Sequence, residues 1–160
     1  MDRSQYGRRD RMMQEKVHDA YWNRGKWPVP TVCTECEAVF SSGRWTWQEV
    51  PENAHKAVCP ACRRIADNYP AGNLRIKGPF FTKNRGELLN LIRNIESQEK
   101  SAHPLERIMA IVDESEHTTI TTTGIHVARR IGEALSKAYQ GDFEFSYGDG
   151  DKSIRAIWSR

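Results

Sequence analysis

The chain has 160 residues, of which 38% are hydrophobic and 28% charged, and its formal net charge is +3. This low hydrophobic content argues against a single large core and favours a metal-supported unit beside a second compact unit. The first ten residues contain no apolar stretch and every apolar run is short, which argues against a secretory signal and a membrane span. We therefore expect a cytoplasmic protein without a membrane partner.

The N-terminal segment, residues 1–30, is predicted to be a basic helix that ends near Gly25 and the Pro28–Pro30 step. Residues 1–26 carry seven Lys or Arg against four Asp or Glu, a net charge of +3, whereas residues 104–160 carry seven against nine, a net charge of −2. A basic front favours contact with a polyanion, and a solvated helix of mixed charge is the alternative.

Residues 31–82 contain two C-x-x-C pairs separated by 22 residues: Cys33, Cys36, Cys59 and Cys62. Four thiolates are the full tetrahedral set of a structural zinc ion, so we predict a zinc ribbon with two knuckles and one zinc. Iron, held as in rubredoxin, is the alternative. It is disfavoured because Glu37 and Arg63, rather than glycine, follow the pairs. Since the protein fills every ligand position, the metal is predicted to be structural.

The rest of the chain predicts a linker helix and a sheet domain. Residues 83–103 form an amphipathic helix whose Leu and Ile residues face a core. Residues 104–160 predict strands at 106–113 and 117–122, a helix at 125–139, and strands around 143–147 and 154–158. The predicted fold class is therefore α+β: an N-terminal helix, a zinc ribbon, and a β-β-α-β-β antiparallel sheet covered by helices.

Cationic and aromatic residues in and after the ribbon are candidate RNA contacts. Trp45 and Trp47 share one face of a predicted hairpin strand, where they either stack on unpaired bases or pack the small core. The scarcity of other large residues in the ribbon favours packing. The tentative nucleic-acid contacts are Arg44, Trp45, Trp47, Arg63, Arg64, Arg75, Lys77, Arg129 and Arg130. Such cations neutralise phosphates and give affinity without sequence specificity.

The sequence offers no pattern that supports an enzyme. It lacks a carboxylate pair, a nucleophile triad and a glycine-rich nucleotide loop. The Thr121–His126 segment opens a predicted helix but lacks the Gly-Lys-Ser/Thr signature of a P-loop, so we expect Thr123 to act as an N-cap. We predict no catalytic residue and no small-molecule substrate.

The cysteine pairs, together with His103–Met109, Thr121–Gly132 and Tyr139–Gly141, resemble a bacterial family of small zinc-ribbon proteins over most of the chain from Cys33 onward. That family is distantly similar to the zinc-bearing export adaptors of the large ribosomal subunit, which carry more C-x-x-C pairs than the two present here. The resemblance implies translation-linked binding of ribosomal or other structured RNA, with the cysteine pairs holding zinc. A protein–protein adaptor and a thiol-based stress sensor with a structural zinc are the alternatives.

Overall fold

The computed structural model describes residues 27–148 and 150–160, so the predicted N-terminal helix lies outside the described residues. The described part of the chain is a mixed α+β fold with two sheets and four helices. We call residues 27–68 the metal module and residues 72–160 the sheet module. Among the described helices, none has the length and apolar character needed to cross a membrane.

The metal module combines four short strands with one helix. In chain order its elements are β1 (Thr31–Cys33), β2 (Val39–Ser41), β3 (Arg44–Thr46), β4 (His55–Ala57) and helix α1 (Pro60–Asp67). The strand order is β3-β2-β1-β4, with β4 parallel to β1 and the other neighbours antiparallel. Its apolar core consists of a few residues around the four cysteines, chiefly Ala38, Phe40, Trp45 and Ala61.

The sheet module contains five longer strands and three helices. In chain order these are β5 (Gly72–Lys77), α2 (Pro79–Lys83), α3 (Arg85–Ala102), β6 (Ile108–Asp113), β7 (His117–Thr122), α4 (Ile125–Tyr139), β8 (Asp142–Gly148) and β9 (Ser153–Ser159). The strand order is β6-β7-β5-β9-β8. Strand β5 is parallel to β9, and the other neighbouring pairs are antiparallel.

The two faces of this sheet have opposite character. Leu74 and Ile76 of β5 and Trp158 of β9 are fully buried in the core that also takes up the apolar sides of α3 and α4. Successive side chains of a strand point to opposite faces, and Arg75 and Lys77 of β5 are exposed. One face therefore packs under helices, whereas the other is left open within the described part of the chain. We call it the open face.

Strand β5 is the main departure from the predicted fold. Residues 72–77 belong to the predicted ribbon of residues 31–82, and the predicted sheet has four strands, all antiparallel. Instead β5 is the central strand of a mixed sheet. Its apolar and cationic residues alternate with a period of two, which is typical of a strand. The sequence prediction treats Arg75 and Lys77 as a basic patch and therefore misses this strand.

Candidate metal centre

The four cysteine sulfurs converge into one cluster. All four Sγ atoms lie within 4.8 Å of one another, and the Sγ atoms of Cys36 and Cys59 are 3.8 Å apart. None of the cysteines forms a disulfide. A tetrahedral ion with metal–sulfur bonds of about 2.3 Å requires sulfur atoms about 3.8 Å apart. The cluster therefore fits a single structural metal ion.

The two cysteine pairs reach this cluster from different local structures. Around Cys33 the chain makes a tight turn, in which the Glu37 N–H donates to the Cys33 carbonyl at 3.0 Å. Cys59 is the N-cap of α1, and the N–H of Cys62 donates to its Sγ at 3.4 Å. Pro60 occupies the first helical position, where its fixed φ suits a helix start. The second pair is therefore the start of a helix, in contrast to the predicted second knuckle.

Because the first cysteine pair lies in a turn and the second begins a helix, the residues that follow the two pairs have different backbone conformations. Glu37 has φ = 67°, in the left-handed region that normally favours glycine. Arg63 lies inside helix α1. The first turn thus adopts the backbone that a glycine would provide, and the second position has no need of one. The missing glycines therefore do not discriminate zinc from iron.

Local donors and charges act on the thiols. Burial raises the pKa of Cys33, but the backbone N–H groups of Cys59, Cys36 and Glu35 outweigh that effect and lower this pKa to about 7. Burial also raises the pKa of Cys59, and the neighbouring sulfurs raise it further by mutual repulsion. A divalent cation at the centre would offset that repulsion, and the N-terminus of α1 favours negative charge on Cys59.

Arg107, which belongs to the sheet module, completes the surroundings of the cluster. Its guanidinium donates to the Sγ atoms of Cys36 at 3.1 Å and Cys62 at 3.2 Å, with a longer contact of 3.6 Å to Cys59. The residue is only 7% exposed. No role is predicted for Arg107 from the sequence. No local pattern could mark it, because 45 positions separate it from Cys62.

The two candidate tryptophans have structural contacts. Trp45 is 8% exposed, and its ring centroid lies 5.4 Å from that of Trp27 and 5.5 Å from that of Phe40. Trp47 is 38% exposed, but its indole N–H donates to the carbonyl of Lys100 at 2.6 Å. Trp45 therefore belongs to the core of the metal module, and Trp47 joins that module to the end of α3.

The candidate cations lie in several separate places. Arg44, Arg129 and Arg130 line a cleft of about 840 Å³ between the modules, together with Trp45. Arg129 is paired with Glu133 at 2.7 Å and Arg130 with Glu99 at 2.6 Å, so these two charges are largely offset. Of the remaining candidates, Arg63 is exposed on α1, Arg64 is buried against Tyr69, and Arg75 and Lys77 lie on the open face.

The same cleft contains a buried acid, Glu106, that the sequence analysis does not single out. Its Oε2 accepts a hydrogen bond from the N–H of Val127 in the first turn of α4 at 3.0 Å. Burial raises the pKa of Glu106 above its usual range. Thr123, the predicted N-cap, is engaged elsewhere, since its hydroxyl donates to the carbonyl of Leu105 at 2.7 Å. Glu106 therefore caps α4 from a distant position in the chain.

Comparison with known proteins places the chain in no family. It matches no protein-family model, no curated protein and no solved structure. The proposals below therefore depend on the positions and chemistry of the described residues.

Proposed function

We propose that this protein is a non-enzymatic, cytoplasmic, zinc-containing protein that binds ribosomal or other structured RNA. A closed tetrahedral set of four thiolates is typical of structural zinc, and here the protein takes all four positions. Such an ion stabilises the metal module and leaves no position for a substrate. The functional surface must then lie elsewhere, and the open face is the strongest candidate.

Three cations on the open face carry the proposal. Arg75 and Lys77 follow each other on one side of β5, and Arg155 of the neighbouring strand β9 is opposite Asn73 in the register. Arg155 is therefore diagonal to Arg75 on the same face. Among the described residues none of the three has an ion-pair partner. Cations without a partner on an open sheet suit a polyanion.

The neighbouring strand β7 indicates how RNA would be contacted. Thr119 and Thr121 of β7 are opposite Arg75 and Asn73, and their hydroxyl groups can bond to phosphate or ribose oxygens. The strand register places no aromatic residue in these rows. We therefore expect this face to contact the backbone of a folded RNA rather than to stack on its bases. Such binding has strong salt dependence and little sequence preference.

Filter binding of the purified protein to labelled ribosomal RNA fragments, over 50 to 300 mM salt, tests this proposal. We expect the double variant Arg75→Glu/Lys77→Glu to bind at least tenfold more weakly at low salt. We also expect the slope of log K against log salt to fall by roughly 1.5, because each lost phosphate contact removes about 0.7 to 0.9 from it. The matched control is the double variant Arg93→Glu/Lys137→Glu, which reverses two exposed cations on α3 and α4.

Two results would count against RNA binding by the open face. One is equal affinity of Arg75→Glu/Lys77→Glu and the control double variant. The other is a partner that sediments with the wild-type protein in a salt-tolerant way, which favours a protein adaptor. For the link to translation, we expect the protein to comigrate with ribosomal subunits in a sucrose gradient at low salt and to leave them at high salt.

A further inference from the structure

We propose that Arg107 is a positioning residue of the metal centre, and that through it the bound metal holds the metal module and the sheet module together. This inference is independent of RNA binding. The centre is then shared between the modules: the metal module provides the ligands, and the sheet module provides the cation that fixes three of them.

The sheet module holds Arg107 in place through contacts that do not involve the sulfurs. The backbone N–H of Arg107 donates to the Thr123 hydroxyl at 2.9 Å, and its carbonyl accepts from the Thr123 N–H at 2.8 Å. The guanidinium Nε donates to the Pro104 carbonyl at 2.6 Å. Because these bonds orient the side chain, its two terminal nitrogens stay directed at the cluster.

The geometry suits an arginine better than a lysine. One terminal nitrogen contacts Cys62, and the other contacts Cys36 and Cys59. A planar fork can do this while its Nε donates to the Pro104 carbonyl, whereas lysine has one terminal nitrogen and no further N–H to hold its side chain in place. Four thiolates around a divalent ion leave a net charge of −2. A buried guanidinium offsets half of it through charge-assisted hydrogen bonds, which are the stronger kind.

Two other contacts join the modules beside Arg107. Leu105 packs against the apolar cluster of the metal module, and the Trp47 indole N–H donates to the Lys100 carbonyl. The Arg107 guanidinium carbon also lies 5.9 Å from the centre of the Trp47 ring. If the metal fixes the sulfurs that Arg107 binds, removal of the metal releases this whole set of contacts. The Trp47 indole is therefore a reporter of docking.

Zinc release to a chelating dye and solvent exchange of the indole N–H groups by NMR test the inference on the full chain. We compare Arg107→Met and Arg107→Lys with Arg93→Met, which removes an exposed arginine of α3. The Trp158 indole, which donates to the Gln140 carbonyl, reports the sheet module, and Trp45 reports the metal module. We expect zinc release at least tenfold faster in Arg107→Met, with Arg107→Lys closer to Met than to wild type.

In zinc-loaded Arg107→Met, the Trp47 indole should exchange faster than in wild type, while the Trp158 indole keeps its protection. Chelation of wild type should expose Trp47 and Trp45 but leave Trp158 protected. Release and Trp47 exchange that match those of Arg93→Met would overturn the inference.

Thr123→Val covers the case in which Arg107→Met does not fold. It removes the hydroxyl that holds the loop but keeps the guanidinium and every metal ligand. We expect zinc release and Trp47 indole exchange to be faster than in wild type, by a smaller factor than in Arg107→Met. Unchanged release and exchange in this variant would count against a positioning role for Arg107.

Discussion

The metal module and the sheet module are stabilised by different means. Each strand of the metal module has three residues, and its core is a small cluster around the cysteines. The sheet module has strands of six or seven residues and a core of aliphatic side chains around Trp158. We therefore expect the first unit to require an ion for folding and the second to fold on its own core. The candidate RNA surface would then lie on the module that does not need the metal.

Loss of one metal ligand should give the largest contrast between the modules. In Cys59→Ser we expect the metal module to unfold, because a structural zinc contributes on the order of 10 kcal/mol to such units. The sheet module should remain folded. Protection of the Trp45 and Trp158 indole N–H groups, measured by NMR, separates the two units. Chelation of the wild type is the control and should reproduce the variant. One cooperative loss of both signals would contradict two separately stable modules.

A smaller effect is expected where the modules meet, at Glu106. At low pH, Glu106→Ala should lower the free energy of unfolding by about 1 kcal/mol, because α4 loses the acceptor at its first turn. Glu106→Gln keeps an acceptor oxygen and is the matched control. Thermal and urea unfolding, followed by the Trp158 signal, measures both. Equal stability of the Ala and Gln variants at low pH would show that the cap contributes nothing.

The same residue predicts a pH dependence. The pKa of Glu106 is raised in the folded protein, so the folded state binds its proton more tightly than the unfolded chain. Its stabilising contribution is complete below the unfolded pKa, near 4.5, and is lost as the pH rises through the folded pKa. Glu106→Gln should therefore match wild type in acid and exceed it in stability at pH 7. A wild-type protein that is more stable than Glu106→Gln at pH 7 would contradict this prediction.

The smallest effects distinguish the two cysteine pairs. Glu37→Gly should raise the stability of the metal module by up to about 1 kcal/mol, because the left-handed backbone costs a residue with a side chain about that much. Arg63→Gly should lower it by about 1 kcal/mol, because Arg63 lies within a helix. Denaturation of the zinc-loaded proteins, followed by Trp45, compares them. Changes of the same sign would contradict the turn-and-helix arrangement.

Local patterns were sufficient for much of the sheet module. The alternation in residues 117–122 and the apolar spacing in residues 125–139 predict the observed bounds of β7 and α4. Each of these signals is contained in a short stretch of chain, and the surrounding fold agrees with it. Strand β5 shows where this approach stops. Its signal is equally local, but Arg75 and Lys77 suit both a basic patch and the exposed side of a strand.

The cysteine spacing by itself determined that each pair would present two thiols together, because a C-x-x-C pair brings its thiols within one turn, and the two pairs predicted one four-thiolate site. Only the tertiary structure decided that the second pair begins a helix and that β5 is the central strand. It also brought Arg107 to the sulfurs and Glu106 to α4. These contacts join positions 45 and 21 residues apart, respectively. Packing of the folded core brings these distant residues together, and no short-range sequence pattern predicts their contacts.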